Sequence, residues 1–177
     1  QVLGCQAAHA ITATSAGQFT TAIALAKATN QRAQQWLIAL ERLPSAPAIL
    51  QQQAHLSILR AELVRNLGIT YSYKRAANEP QGDTEASTAL KTAEVACIRE
   101  AIALERQTLQ WLSRLPQPLT GEYLSLQNDT PQYLAVDEAR LAENLIALAK
   151  WYQQQERLQD AAPLLAESQT ILTALQP

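Results

Sequence analysis

The chain has 177 residues, the size of one domain or of one short repeat array. Hydrophobic residues make up 47% of it, and five glycines and eight prolines are too little turn material for a many-stranded β protein. Fourteen basic residues stand against 16 acidic ones, and the formal charge of -2 gives no one-sided positive field for binding nucleic acid.

The amino-terminal part predicts a helical hairpin over about 5–43. A short alanine-rich helix runs from about Cys5 to Ser15, and the pair Ala16-Gly17 breaks it. From Gln18 onward, apolar residues recur at steps of three and four, which is typical of a helix with one buried stripe. Pro44 ends this second helix.

The middle part predicts a longer hairpin over about 48–115. Its first helix ends near Ala77, and the polar stretch 78–83 forms the turn. Asp83 or Thr84 is the expected N-cap of the second helix, because short polar side chains accept hydrogen bonds from the free N–H groups there. Leu115 is the last helical residue before a proline.

The stretch 116–130 lacks a helical period and is expected to be a loop, in which Tyr123 and Leu126 are further contact candidates. Pro131 then opens a third hairpin over about 133–175, with Asp160 as the cap of its last helix. Six helices and no strand candidate predict a single all-α domain over 1–177.

Residues 142–175 resemble a tetratricopeptide repeat, with the closest likeness to the kinesin light chain type. The motif residues stand at their places on both helices, namely Leu145, Leu148, Ala149, Tyr152, Ala161, Leu165 and Ser168. One departure is Glu156, which stands where the family commonly has glycine at the turn between the helices.

Two upstream stretches resemble weaker copies of the same repeat. Leu67, Gly68 and Tyr71 reproduce the core of a first helix, whereas Gly17 and Ala22 reproduce a turn and a second helix. The resemblance implies three antiparallel hairpins stacked as a tetratricopeptide-like right-handed superhelix. The alternative is an up-down bundle of long helices around one closed core.

The resemblance also implies where a partner binds. In that family the first helix of each hairpin lines a concave surface that binds a peptide or a helix of another protein. The positions that correspond here are Glu62, Arg65, Asn66, Ile69, Tyr73, Glu143, Ile146, Lys150, Gln153 and Gln154. Amides, one tyrosine and alternating charges suit a peptide of mixed polarity, so the expected function is a non-catalytic interaction or scaffold module.

No pattern in the chain predicts catalysis, a metal site or a cofactor. The two histidines are isolated, and phosphate-binding glycine motifs and zinc-like cysteine spacing are absent. Acidic residues such as Glu94 and Asp137 have basic neighbours and are expected on solvated helix faces. An enzyme or ligand carrier that uses a pocket between helices remains a further alternative.

The amino end suggests a second function. Val2-Leu3-Gly4-Cys5 resembles the lipobox of bacterial lipoproteins, which would make Cys5 the lipid-bearing residue of a membrane-tethered accessory or assembly factor. The location would then be periplasmic or lumenal, and cytoplasmic otherwise. No apolar run reaches the 18 residues that a transmembrane helix needs.

Overall fold

The computed structural model describes residues 2–78 and 84–176. In these two ranges six helices occur and no strand, which confirms the prediction of an all-α fold built from helical hairpins. In chain order the helices are α1 (Val2–Ser15), α2 (Phe19–Glu41), α3 (Pro47–Asn78), α4 (Thr84–Ser113), α5 (Gly121–Gln154) and α6 (Leu158–Ala174). The first two hairpins begin and end within three residues of the expected bounds.

Successive helices pack against each other along the whole chain. Leu3 near the start of α1 meets Leu37 near the end of α2, and Leu50 near the start of α3 meets Leu112 near the end of α4. Neighbouring helices are therefore antiparallel. Among helices that are not neighbours in sequence, α1 and α3 make a small contact in the described residues, and α1 and α6 do not close a ring.

The odd-numbered helices form one layer. The hydroxyl groups of Thr14 on α1 and Thr70 on α3 are 2.8 Å apart, and Arg65 of α3 reaches Asp137 of α5 at 2.8 Å. These contacts place α1, α3 and α5 side by side and parallel, because the turns between them each add one antiparallel helix.

The even-numbered helices form the second layer. Asn30 of α2 donates to Glu100 of α4 at 3.1 Å, and Arg99 of α4 donates to Glu167 of α6 at 3.1 Å. The molecule is thus an open two-layer stack of three hairpins, as in a helical repeat array.

Small residues lie where the two helices of a hairpin approach each other. Ala149 and Ala161 are buried in the third hairpin, and Ala22 is buried at the matching place in the first. In the middle hairpin a Cβ added to Gly68 would lie 3.3 Å from the Cβ of Cys97, closer than most such contacts. The lack of a side chain at Gly68 therefore permits the close approach of α3 and α4.

The first and third hairpins turn in the same way. Gly17 and Glu156 both have positive φ, 74° and 60°. The amide after each of them bonds five residues back, Gln18 to Ala13 at 2.9 Å and Arg157 to Tyr152 at 2.9 Å. This is the Schellman pattern of helix ends, so Glu156 adopts the backbone conformation that glycine adopts most easily.

The predicted loop over 116–130 is wrong beyond residue 120, since α5 already begins at Gly121. Tyr123 and Leu126 are half-buried against the core between α3 and α4 rather than exposed. Burial of this face outweighs the helix-breaking effect of Pro131, which lies inside α5 with its ring exposed. The hydroxyl of Thr130 donates to the Leu126 carbonyl at 2.5 Å.

Two capping predictions have different outcomes. Asp83 and the side chain of Thr84 lie outside the described residues. Helix α6 begins three residues earlier than expected, with Arg157 at the cap position, and Asp160 instead pairs with Arg157 at 2.7 Å within the first turn. None of the helices in the described ranges combines the length and the hydropathy that crossing a membrane requires.

Candidate functional site

Helices α3 and α5 are linked on one side of the stack by Arg65, which reaches Asp137 and Tyr133 of α5. On α3, positions 62, 66, 69 and 73 follow each other at steps of three and four, so they share one side of the helix. On α5, positions 133, 136, 140, 143, 147, 150 and 154 do the same. We call this surface the A face and define it by Glu62, Asn66, Ile69 and Tyr73 of α3 with Tyr133, Val136, Glu143, Lys150 and Gln154 of α5.

Three large apolar side chains stand out on the A face. Tyr73 is 56% exposed, Tyr133 is 48% exposed and Val136 is 65% exposed. Sequence reasoning named Tyr73 but missed the other two, since it placed the start of α5 beside them. Tyr133 and Val136 are three residues apart, and a helix that began before them would place both on one side. That spacing was the sequence signal that could have identified them. Exposed aromatic and aliphatic side chains of this size are what a bound peptide covers.

The predicted site residues on α3 are placed as follows. Glu62 is exposed, and Asn66 is half-buried with its amide donating to the Glu62 carbonyl at 2.9 Å. Ile69 is half-buried. Besides Arg65, four site residues were predicted on α3. Asn66 is partly engaged with its own helix, and the other three offer surface to a partner.

The predicted site residues on α5 are mostly exposed. Glu143, Lys150 and Gln154 lie along the A face, and their carboxylate, ammonium and amide groups give it mixed polarity. Ile146, which is half-buried, and Gln153, which is exposed, lie beside this stripe rather than on it.

Arg65 does not line the surface as predicted, because its side chain is 20% exposed and turned into the junction of three helices. Its Nε donates to Asp137 at 2.8 Å, and its Nη2 donates to Glu105 of α4. The guanidinium also lies 5.2 Å from the ring centroid of Tyr133. The cause is the position of α5 beside α3, which sequence spacing alone does not reveal.

Glu105, Asp137 and Arg65 form a buried ionic cluster. Both carboxylates are almost completely buried, and they share one guanidinium. Burial raises the pKa of Glu105 to about 7, an effect that the nearby Arg65 charge opposes and the Asp137 charge increases. The Oε2 atom of Glu105 has no hydrogen-bond partner in the described structure. The expectation that Asp137 is solvated is wrong.

Glu94 is also buried, contrary to the expectation of a solvated face. Arg140 of α5 donates to it at 3.2 Å, and the Lys91 ammonium lies 3.6 Å from its other oxygen. Ion pairs between α4 and α5 therefore continue along the helix interface toward the turn of the middle hairpin.

Cys5, Cys97 and His55 have separate environments in the described residues. Both cysteines are free thiols, with Cys5 exposed and Cys97 buried. Burial raises the pKa of the Cys97 thiol to about 12, so the nucleophilic thiolate is scarce at neutral pH. His55 pairs with Glu122 at 2.9 Å. In the ranges that the structure describes, no group of three His, Cys, Asp or Glu side chains is arranged to hold a metal ion.

One open groove of about 420 Å³ lies between α4, α5 and α6. Ile102, Leu141 and Ile171 contribute apolar surface to it. The charged residues along it are already paired with each other, Arg99 with Glu167 and Arg106 with Glu138. This groove therefore offers apolar contact without an unpaired charge for a ligand.

The chain matches no protein-family model, no curated protein sequence and no solved structure.

Proposed function

We propose that this chain is a protein-interaction module that binds a peptide or a helix of a partner protein on the A face. The observation that carries the proposal is the exposure of Tyr73, Tyr133 and Val136 on two neighbouring helices. Tyr133 and Val136 are three residues apart on one side of α5, and exposed apolar side chains that lie together mark interaction sites more often than single ones do. Glu62, Glu143 and Lys150 are exposed and bring both signs of charge to the A face.

The architecture supports this proposal in a second way. In an open stack, the odd-numbered helices leave one complete side to solvent, whereas a closed bundle would turn it toward the core. The shared Schellman turns and the small residues at the helix crossings are consistent with the resemblance to tetratricopeptide repeats. Members of such repeat families bind extended or helical segments on the first-helix surface.

The expected partner segment has an apolar anchor and mixed charges. An apolar side chain would pack on Tyr133 and Val136, and polar groups beside it would bond to Glu143, Lys150 and Gln154. A strongly acidic segment fits less well, because Glu62 and Glu143 would repel it.

A lipid anchor at Cys5 is a separate hypothesis. The exposure of Cys5 permits the attachment, but cleavage directly before it would remove Leu3, which is buried against Leu37 and Leu56. We therefore favour partner binding on the A face over lipid attachment at Cys5.

The test is a selection of displayed random peptides against the full chain, followed by anisotropy titrations of the enriched peptides. Replacing Tyr73→Ala together with Val136→Glu should weaken their binding at least tenfold, about 1.4 kcal/mol. The matched control is Trp36→Ala with Ile38→Glu on α2, where the two side chains are also exposed. Equal binding by both variants, or loss in the control alone, would overturn the proposal.

Arg65 is deliberately left unchanged in this experiment. Its removal would leave the Glu105 and Asp137 carboxylates buried without a counter-charge, which is strongly destabilising. Circular dichroism of both double variants must show unchanged helix content, so that a loss of affinity reports the surface.

A further inference from the structure

Helix α6 is the last helix in the described residues, and one of its sides differs from the sides of the other even-numbered helices. Helix α2 packs along α3, and α4 packs along α5, so each even-numbered helix is covered on one side by the next odd-numbered helix. In the described residues nothing packs on the corresponding side of α6.

Three leucines stand at equal intervals on α6, about a quarter of a turn from Leu164 and Ile171, which pack against the core of α4 and α5. Leu158, Leu165 and Leu172 stand seven residues apart, which keeps them nearly in line on a helix. Leu158 is 64% exposed, Leu172 is 41% exposed and Leu165 is half-buried. We call these three residues the leucine stripe. The stripe is apolar along the full length of α6.

The leucine stripe is free of charge. Helix α6 has only two charged residues, Asp160 and Glu167, and both are engaged within the chain. Asp160 pairs with Arg157, and Glu167 reaches across to Arg99 of α4. Ala162 and Gln169, which flank the stripe, are uncharged and exposed. Two copies of this surface can therefore meet without like-charge repulsion.

We infer that the occupant of the leucine stripe is the same stripe of a second copy of this chain, in an antiparallel, two-fold symmetric pair. The equal spacing around Leu165 is the reason. A two-fold axis at Leu165 places Leu158 of one copy opposite Leu172 of the other, so every leucine meets a leucine. Antiparallel pairing also brings the N-terminus of one helix near the C-terminus of the other, which their dipoles favour.

The pair is weak. Helix α6 has 17 residues and is about 25 Å long, so its side alone gives an interface at the low end of specific contacts. The surface lies at the end of the stack, separate from the A face on α3 and α5. The inference therefore does not depend on the proposed function.

Sedimentation velocity over a hundredfold range of concentration tests for the pair. The mass should rise from that of one chain, 19.4 kDa, toward twice that value. Leu158→Glu with Leu172→Glu should hold the chain as a monomer throughout, because four carboxylates would meet in the apolar seam. The control, Trp36→Glu with Ile38→Glu on α2, should associate like the unmodified chain. A monomer at every concentration, or larger assemblies that the α2 variant abolishes, would overturn the inference.

Cysteine cross-linking tests the orientation. In a Cys5→Ser background, Leu158→Cys chains should form disulfides with Leu172→Cys chains but not with themselves. The two positions lie 14 residues apart on the helix, about 21 Å, which exceeds the reach of a disulfide. Cys97 is buried and therefore does not form disulfides with the introduced cysteines. Self-linking of Leu158→Cys chains, or no linking in the mixture, would contradict the antiparallel arrangement.

Discussion

Glu105 is a carboxylic acid enclosed by three helices, and its surroundings decide how it titrates. Arg65 faces it from α3, Asp137 and Glu138 face it from α5, and Leu104 and Thr108 of its own helix are buried beside it. Loss of hydration disfavours the charged form more strongly than Arg65 favours it, which is why the pKa rises to about 7.

This shift predicts that the chain becomes less stable as the pH rises from about 4.5 to 7. In that range the folded chain still holds the Glu105 proton, whereas the unfolded chain has lost it, so the free energy of unfolding falls with pH. Glu105→Gln removes this contribution. Urea titrations at pH 5 and pH 8 should show a fall that is smaller in the variant by about 1–3 kcal/mol.

Glu100→Gln is the control for this prediction. Glu100 lies on the same helix and accepts hydrogen bonds from Asn30 and Arg60, but its side chain is 43% exposed. The control should keep the pH dependence of the unmodified chain. If the free energy of unfolding falls between pH 5 and pH 8 by the same amount in Glu105→Gln as in the unmodified chain, then Glu105 is not the group that titrates.

Arg65 illustrates what sequence reasoning reaches at the residue scale. The sequence correctly placed Arg65 on the first helix of the middle hairpin. It wrongly placed the side chain on the partner-binding side, because the direction of that side chain depends on where α5 lies. Glu105 and Asp137 are 32 residues apart in sequence, and only the folded stack brings both to Arg65. The resemblance to tetratricopeptide repeats placed Glu143 and Lys150 on the partner-binding side of their helix, and both side chains are exposed.

At the scale of the helices, the two Schellman turns provide a matched pair. Gly17 and Glu156 have the same hydrogen bonds around them and similar positive φ. A Cβ added at Gly17 would meet nothing within 4 Å, so a substitution there acts through backbone conformation rather than through contacts. Residues other than glycine are strained in this conformation.

Exchanging these two residues should have opposite effects. Glu156→Gly should raise the free energy of unfolding by about 1 kcal/mol, and Gly17→Glu should lower it by about the same amount. Urea titration of each single variant measures the change. Two changes of the same sign would show that charge or helix fraying, rather than φ, dominates at these turns.

The helices themselves were largely predictable, and the exception has a physical cause. Leucine and alanine periodicity located α1 to α4 within a few residues. The start of α5 escaped prediction because Gly121 and Pro131 are usual helix breakers, whereas the burial of Tyr123 and Leu126 that overrides them depends on Leu50, Leu112 and Leu119 of other elements.

At the scale of the whole molecule, the open stack predicts uneven stability. Helices α3 and α4 have neighbours on both sides, whereas α1 and α6 lie at the ends. In linear arrays the end units open most easily, because each lacks one interface. Hydrogen exchange at a concentration that keeps the chain monomeric should show α1 and α6 at least tenfold less protected than α3 and α4. Uniform protection across all six helices would instead indicate one cooperative unit.

The ionic cluster also bears on how the hairpins find their alignment. The apolar surfaces of the stack are rich in leucine and alanine, which pack nearly as well after a slide of one helical turn, about 5.4 Å. Such a slide of α5 along α3 would carry Asp137 away from Arg65 and leave that buried carboxylate without its counter-charge, whereas Glu105 of α4 would keep its contact with Arg65. The buried pair of Arg65 and Asp137 therefore favours one register of the third hairpin over a register shifted by one turn.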